Sequence, residues 1–288
     1  MVCLRRSDLY AGQARGGAHM EQILPLLLIM AGAGAVAGFL AGLLGIGGGI
    51  VMVPALYFAF EAFGVTSAWH MHMAVGTSLA IIIPTAISSA RSHYRRDAID
   101  LVIIRRWAPW LVVSAFLGGG LAGELSSRTL TLFFAIMAFL MGVKLVLPLE
   151  DKPLTRDVPG TLGSAVVAFF IGGASSLMGI GGATFSVPAM TLFNVPIHRA
   201  VGTASLIGLL IALPATMGYL MEGAGIPGRP PYSFGFVNLA AVAVVAPIAA
   251  LMAPLGVRTA HALSRRRLSV IFGVFLIATA IRLALDAF

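Results

Sequence analysis

From residue 23 to residue 285 the chain is a succession of apolar runs, and in none of them does a charged side chain fall near the middle. Ten runs stand out, at 23–44, 46–63, 71–90, 103–123, 129–147, 161–178, 180–194, 200–221, 236–257 and 268–285. A helix rises about 1.5 Å per residue, so roughly 20 apolar residues match the hydrocarbon thickness of a bilayer. Only 10% of the residues are charged and 59% are hydrophobic, where an ordinary soluble domain carries about a quarter charged. The pattern predicts an all-α polytopic membrane protein with about 8–10 membrane segments and the lipid bilayer as its solvent.

The net charge of +8 would suit nucleic acid, but the arginines gather in the short connections between apolar runs, as topology determinants do. No nucleic-acid partner is expected. Cys3 is the lone cysteine, which excludes an internal disulfide and any metal site built on cysteines, since each needs at least two thiols.

The chain repeats itself. Gly45-Ile46-Gly47-Gly48-Gly49 followed by Val53-Pro54-Ala55 returns as Gly179-Ile180-Gly181-Gly182-Ala183 followed by Val187-Pro188-Ala189, with identical spacing. Downstream, Ala74-Val75-Gly76-Thr77-Ser78 returns as Ala200-Val201-Gly202-Thr203-Ala204-Ser205, and Lys144 and Arg282 take equivalent places. Ordered matches of this kind mark duplicated halves, a common build in secondary transporters. The organisation read from them is a polar leader at 1–19, with Met20 as the expected start, a first transmembrane repeat at 20–149, a polar linker at 150–160 and a second repeat at 161–288.

Five segments per repeat give an odd number of crossings, so the halves are expected to be inverted copies. With the N-terminus outside, the cytoplasmic side collects most of the arginines, among them Arg91, Arg95, Arg96, Arg105, Arg106 and Arg199. A rival in which each glycine-linked pair forms one broken span gives the same tally with the N-terminus inside. A start at Met20, which removes three leader arginines, favours the inverted arrangement under the positive-inside rule. The expected location is the cytoplasmic (inner) membrane, with a multi-pass topology.

Neither Gly-Ile-Gly-Gly segment is followed by Lys-Ser or Lys-Thr in a strand-loop-helix setting, so a phosphate loop is excluded. Within a membrane, successive glycines weaken a helix and admit close approach of backbone or ligand. The run at 180–194 is short for a full span, which suits a half-helix starting inside the bilayer. Two such half-helices would aim their N–H groups and positive dipole ends at a shared point that favours an anion. The other reading of these glycines is close packing alone, as for Gly34, Gly38 and Gly42. Thr77, Ser78, Thr203 and Ser205 offer hydroxyls that either complete the shell of a dehydrated anion or bond back to their own helices.

Acidic residues fall at segment ends, so carboxylate-based sodium sites and acid relays lose support. His70, His72 and Arg91 flank one helix, where they would gate or attract an anion on one reading, and on the preferred reading are expected at the membrane interface, with Trp69, Trp107 and Trp110 in an aromatic belt. No catalytic constellation, metal spacing or dinucleotide fingerprint is present, so neither enzyme activity nor a cofactor is expected.

Two copies of Gly-Ile-Gly-Gly with a Pro nine residues after the first Gly, each followed by Ala-Val-Gly-Thr and a nearby Ser, resemble the TauE/SafE (sulfite exporter, TSUP) family of membrane permeases over about residues 23–287. The resemblance implies transport of sulfite, organosulfonates or related sulfur-containing or organic acids. Carried over by position, its substrate-binding residues are Gly45, Gly47, Gly48, Pro54, Gly76, Thr77 and Ser78, then Gly179, Gly181, Gly182, Pro188, Gly202, Thr203 and Ser205. The second copy departs from the first at Ala183 and Ala204. The expected partners are a small anionic substrate and the bilayer, with a homodimer as the assembly allowed for. The expected mechanism is alternating access at the repeat interface; a passive anion channel or a noncatalytic membrane scaffold subunit would use the same architecture.

Overall fold

The computed structural model describes residues 28, 30–40, 49–62, 64, 68–147, 159–227, 229–262 and 265–288. The leader and most of the linker lie outside the described residues, as do Gly45, Gly47 and Gly48. Among the described residues ten helices follow one another: α1 (Met30–Leu40), α2 (Gly49–Ala62), α3 (His70–Tyr94), α4 (Leu101–Glu124), α5 (Ser127–Val146), α6 (Thr161–Met178), α7 (Ala183–Leu192), α8 (Ile197–Glu222), α9 (Leu239–Ala262) and α10 (Arg265–Asp286). Each overlaps one of the apolar runs. Among the described residues, six helices are long and apolar enough to cross a membrane, and exposed Leu, Val, Ile and Phe side chains on them form the surface that lipid would cover. The chain is a multi-pass membrane protein. Between α8 and α9 stands a feature that the apolar pattern does not disclose, an antiparallel hairpin of two-residue strands, β1 (Ser233–Phe234) and β2 (Val237–Asn238).

Contacts between small residues set the helix directions. Gly142 of α5 faces Gly273 and Ile277 of α10, Arg266 at the start of α10 donates to the Val146 carbonyl at the end of α5 (2.6 Å), and Arg128 at the start of α5 lies over the Phe288 ring. α5 and α10 are therefore antiparallel. α3 and α8 are antiparallel too, since Gly76 near the start of α3 touches Tyr219 near the end of α8. In contrast, α4 runs parallel to α6 (Leu111 and Ser114 against Gly172, Gly118 against Ser176), and α1 runs parallel to α9 (Gly34 against Val245, Gly38 against Ala249).

These directions sort the charges. The ends carrying Arg91, Arg95, Arg96, Arg105, Arg106, Arg199 and Arg266 share one face, and those carrying Glu124, Arg128, Glu222 and Asp286 share the other. α4 buries the stripe Ile103, Trp107, Leu111, Ser114, Ala115, Gly118 and Ala122. Trp107 lies on this stripe and is fully buried, so it is a core residue and not part of a lipid-facing belt; Trp110, off the stripe, is 43% exposed.

Candidate functional site

The second glycine motif is a true helix break. Gly179 ends α6 with φ +67° and Gly182 begins α7 with φ +72°, a left-handed conformation that costs an L side chain roughly 1–2 kcal/mol. The Ile180 N–H closes the end of α6 on the Ser175 carbonyl (3.0 Å), and the Ser186 N–H reaches back to Gly182 O (2.8 Å). At 10 residues α7 is about 15 Å long, half the apolar thickness of a bilayer. Pro188 is its sixth residue, as Pro54 is the sixth of α2; neither has an N–H to donate, so both half-helices are loosened at the same turn.

The two half-helices meet. A Cβ placed on Gly49, at the start of α2, would stand 2.9 Å from Ile180 Cα and 3.1 Å from Gly181 N. α3 and α8 pass beside this junction: Ile82 presses on Gly49 and Gly181, Ile207 and Ile211 press on Gly182, and Gly208 faces the Gly181 carbonyl. The Ser78 hydroxyl donates to the Gly179 carbonyl (2.8 Å), tying α3 directly to the break. Its register equivalent on α8 is Ala204, which is buried and cannot donate; Ser205 bonds back to Gly202 O (2.6 Å).

The Gly-Thr pairs form a crossed arrangement that the repeat alone does not predict. Thr77 Oγ1, on α3, accepts from the Asn238 N–H (3.0 Å), and Thr203 Oγ1, on α8, accepts from the Asp100 N–H (2.8 Å). Asn238 and Asp100 are the caps of α9 and α4: Asn238 Oδ1 accepts from Ala241 N–H (2.8 Å) and Asp100 Oδ1 from Val102 N–H (3.0 Å), satisfying first-turn N–H groups that have no partner in the helix. Two residues before each cap, a carbonyl lies against the glycine of the other half. A Cβ on Gly76 would be 2.6 Å from Phe236 O, and one on Gly202 would overlap Ala98 O. Each half thus anchors the start of a helix belonging to the other.

His72, expected at the interface, is instead fully buried. Its Nε2 lies 2.9 Å from Ala122 O and 3.0 Å from Leu125 O, and its ring sits between Trp69 and Phe236. The reason is the inward course of the chain before α9, which covers it with Phe236. Sequence reading also missed Ser175 and Ser186, two fully buried hydroxyls beside the second break; serines inside charge-free apolar runs were the available signal. Asp100 and Asn238, cap-type residues just ahead of apolar runs, could have been found the same way. Among the described residues no cluster of metal-ligating side chains occurs.

A helical membrane protein with paired half-helices abutting between two long core helices is a build shared by solute carriers. The family model for the sulfite exporter TauE/SafE matches residues 30–283, and the chain belongs to this family of membrane transporters. A probable membrane transporter protein of Haemophilus influenzae is 34% identical over 252 residues, covering 88% of this chain and 96% of the relative. One from Methanocaldococcus jannaschii is 28% identical, covering 88% and 92%, and YunE of Bacillus subtilis is 27% identical, covering 66% and 77%. No solved structure matches the chain.

Proposed function

We propose that the chain carries small anions, namely sulfite, organosulfonates or related sulfur-containing or organic acids, across the cytoplasmic membrane by alternating access. Its two repeats, 20–149 and 161–288, are inverted copies, and the anion is held where their half-helices meet. The observation that carries this reading is the abutment of Gly49 on Ile180 and Gly181, which brings the N-terminus of α2 onto the second break, from which α7 starts. The N–H groups at such termini, with their positive dipole ends, favour an anion without a basic side chain.

Inversion is supported by the antiparallel pairing of α3 with α8 and of α5 with α10, each a segment beside its own repeat counterpart, and by the crossed Thr77–Asn238 and Thr203–Asp100 bonds. Such reciprocity lets one half rock against the other about the fixed site. The arginine-rich face is assigned to the cytoplasm by the positive-inside rule. The family description and the transporter names of the relatives favour a carrier over an enzyme.

The test is counterflow of labelled sulfite in proteoliposomes holding the purified protein. A carrier shows saturable uptake accelerated by internal sulfite. Uptake that is linear and indifferent to internal substrate would replace the carrier with a channel, and absence of flux for sulfite, sulfonates and organic acids alike would reject the assignment.

A further inference from the structure

The second glycine motif differs from the first in the residues that stand beside it in the sequence. Ser175 stands in the last turn of α6 and Ser186 in the first turn of α7, so the two bracket Gly179–Gly182. Both residues are fully buried, and neither hydroxyl has a hydrogen-bond partner among the described residues. Ser186 leans toward the N-terminus of α7, because helical Cα–Cβ bonds tilt that way. At the equivalent spacings before Gly45 and Pro54 the first half has Ala41 and Met52. A buried hydroxyl left without a partner destabilises the protein that carries it, so two of them flanking one half-helix terminus point to a partner supplied from outside the chain.

The charge around this point limits what that partner is. From residue 159 to residue 197 there is no Asp, Glu, Lys, Arg or His, and the flanking stretches of α3 (73–90) and α8 (200–221) have none either. The glycines of the break are pressed by Ile82, Ile207 and Ile211. An ion entering such a site surrenders its water to hydroxyls, backbone N–H groups and hydrocarbon. That desolvation cost rises with the square of the ion's charge, while the attraction to neutral dipoles rises only in proportion to it.

We propose that the second break is the anion seat, that the Ser175 and Ser186 hydroxyls are its side-chain donors, and that it takes singly charged oxyanions, such as a sulfonate or hydrogen sulfite, in preference to doubly charged ones such as sulfate. This rests on the anion-carrier reading above. It adds that recognition is one-sided, made by the second half, and that the protonated form of sulfite is the form carried.

The test uses the full-length protein in proteoliposomes, with methanesulfonate and sulfate as competitors of labelled sulfite. Ser175→Ala and Ser186→Ala each raise the KM for sulfite roughly tenfold or more, the loss expected for one hydrogen bond to a charged group, and leave kcat within a few-fold. The thermal midpoint of each variant is unchanged or higher, since an unpartnered hydroxyl has been removed; a merely structural serine would show the reverse. Ser164→Ala, a buried serine bonded to Pro159 O at the far end of α6, keeps parental kinetics. Methanesulfonate competes, sulfate does not, and sulfite flux rises as pH falls. Parental KM in both alanine variants, or sulfate competing as well as methanesulfonate, would overturn the proposal while leaving the carrier intact. No saturable flux of any anion by the parent protein would instead overturn the carrier reading on which it rests.

Discussion

The two Thr anchors use the same backbone bond in opposite surroundings. At the arginine-rich face, Thr203 holds the start of α4 at Asp100, Arg199 lies 3.7 Å from the Asp100 carboxylate, and its side chain is 58% exposed. At the other face, Thr77 holds the start of α9 at Asn238, which is 3% exposed, and the position matching Arg199 is Met73, fully buried. His72 is buried where its equivalent His198 is exposed. The difference teaches that the two matching sequence segments share what the backbone needs, a hydroxyl and a glycine against the start of a helix from the other half of the chain. The side chains around them suit a wet, charged face or a dry one under Phe236.

The sharpest way to break this comparison is to exchange the charge. Met73→Arg buries an unpaired guanidinium, which costs at least several kcal/mol and should abolish accumulation of folded protein, scored by fluorescence-detected size exclusion. Filling the close approach comes next. Gly76→Val and Gly202→Val should each lose about 3 kcal/mol or more, seen as a clear fall in thermal midpoint in detergent, because the obstructing atoms are the backbone carbonyls of Phe236 and Ala98.

Thr77→Val and Thr203→Val strip the acceptor from one backbone N–H each, a loss of about 1–3 kcal/mol. The Asn238 N–H is buried and the Asp100 N–H only partly so; Thr77→Val should therefore be the worse of the two, and equal midpoints would erase the asymmetry. Smallest of all is Arg199→Met. A pair at 3.7 Å whose arginine side chain is 58% exposed contributes about 0–1 kcal/mol, so the midpoint should barely move, and its small difference from the parent should shrink as salt is raised.

Much of this was legible in the chain. Apolar runs gave all ten of the described helices because water and lipid leave little choice for a run of that length with no charge near its middle. The repeated Gly-Ile-Gly-Gly located the break at 179–182 because only glycine tolerates the left-handed backbone there without strain. What was not legible depended on tertiary course. Trp107 reads as an interfacial residue until α4 is seen packed on α6 and α8, and His72 until the chain before α9 is seen turning inward. The crossing of Thr77 to Asn238 and Thr203 to Asp100 joins residues 161 and 103 positions apart, and no local pattern encodes such a pairing.

The most direct measurement is of the junction itself. Ile82 touches both Gly49 and Gly181 and is 5% exposed. In a Cys3→Ser background, Ile82→Cys is reacted in oriented vesicles with a membrane-impermeant thiol reagent. If the meeting point of the half-helices is the transport site, the cysteine is labelled as the protein cycles, and sulfite slows the labelling in proportion to its occupancy. A cysteine that stays unlabelled from both sides, or is labelled at a rate indifferent to sulfite in a protein that still transports it, would contradict a substrate site at this junction.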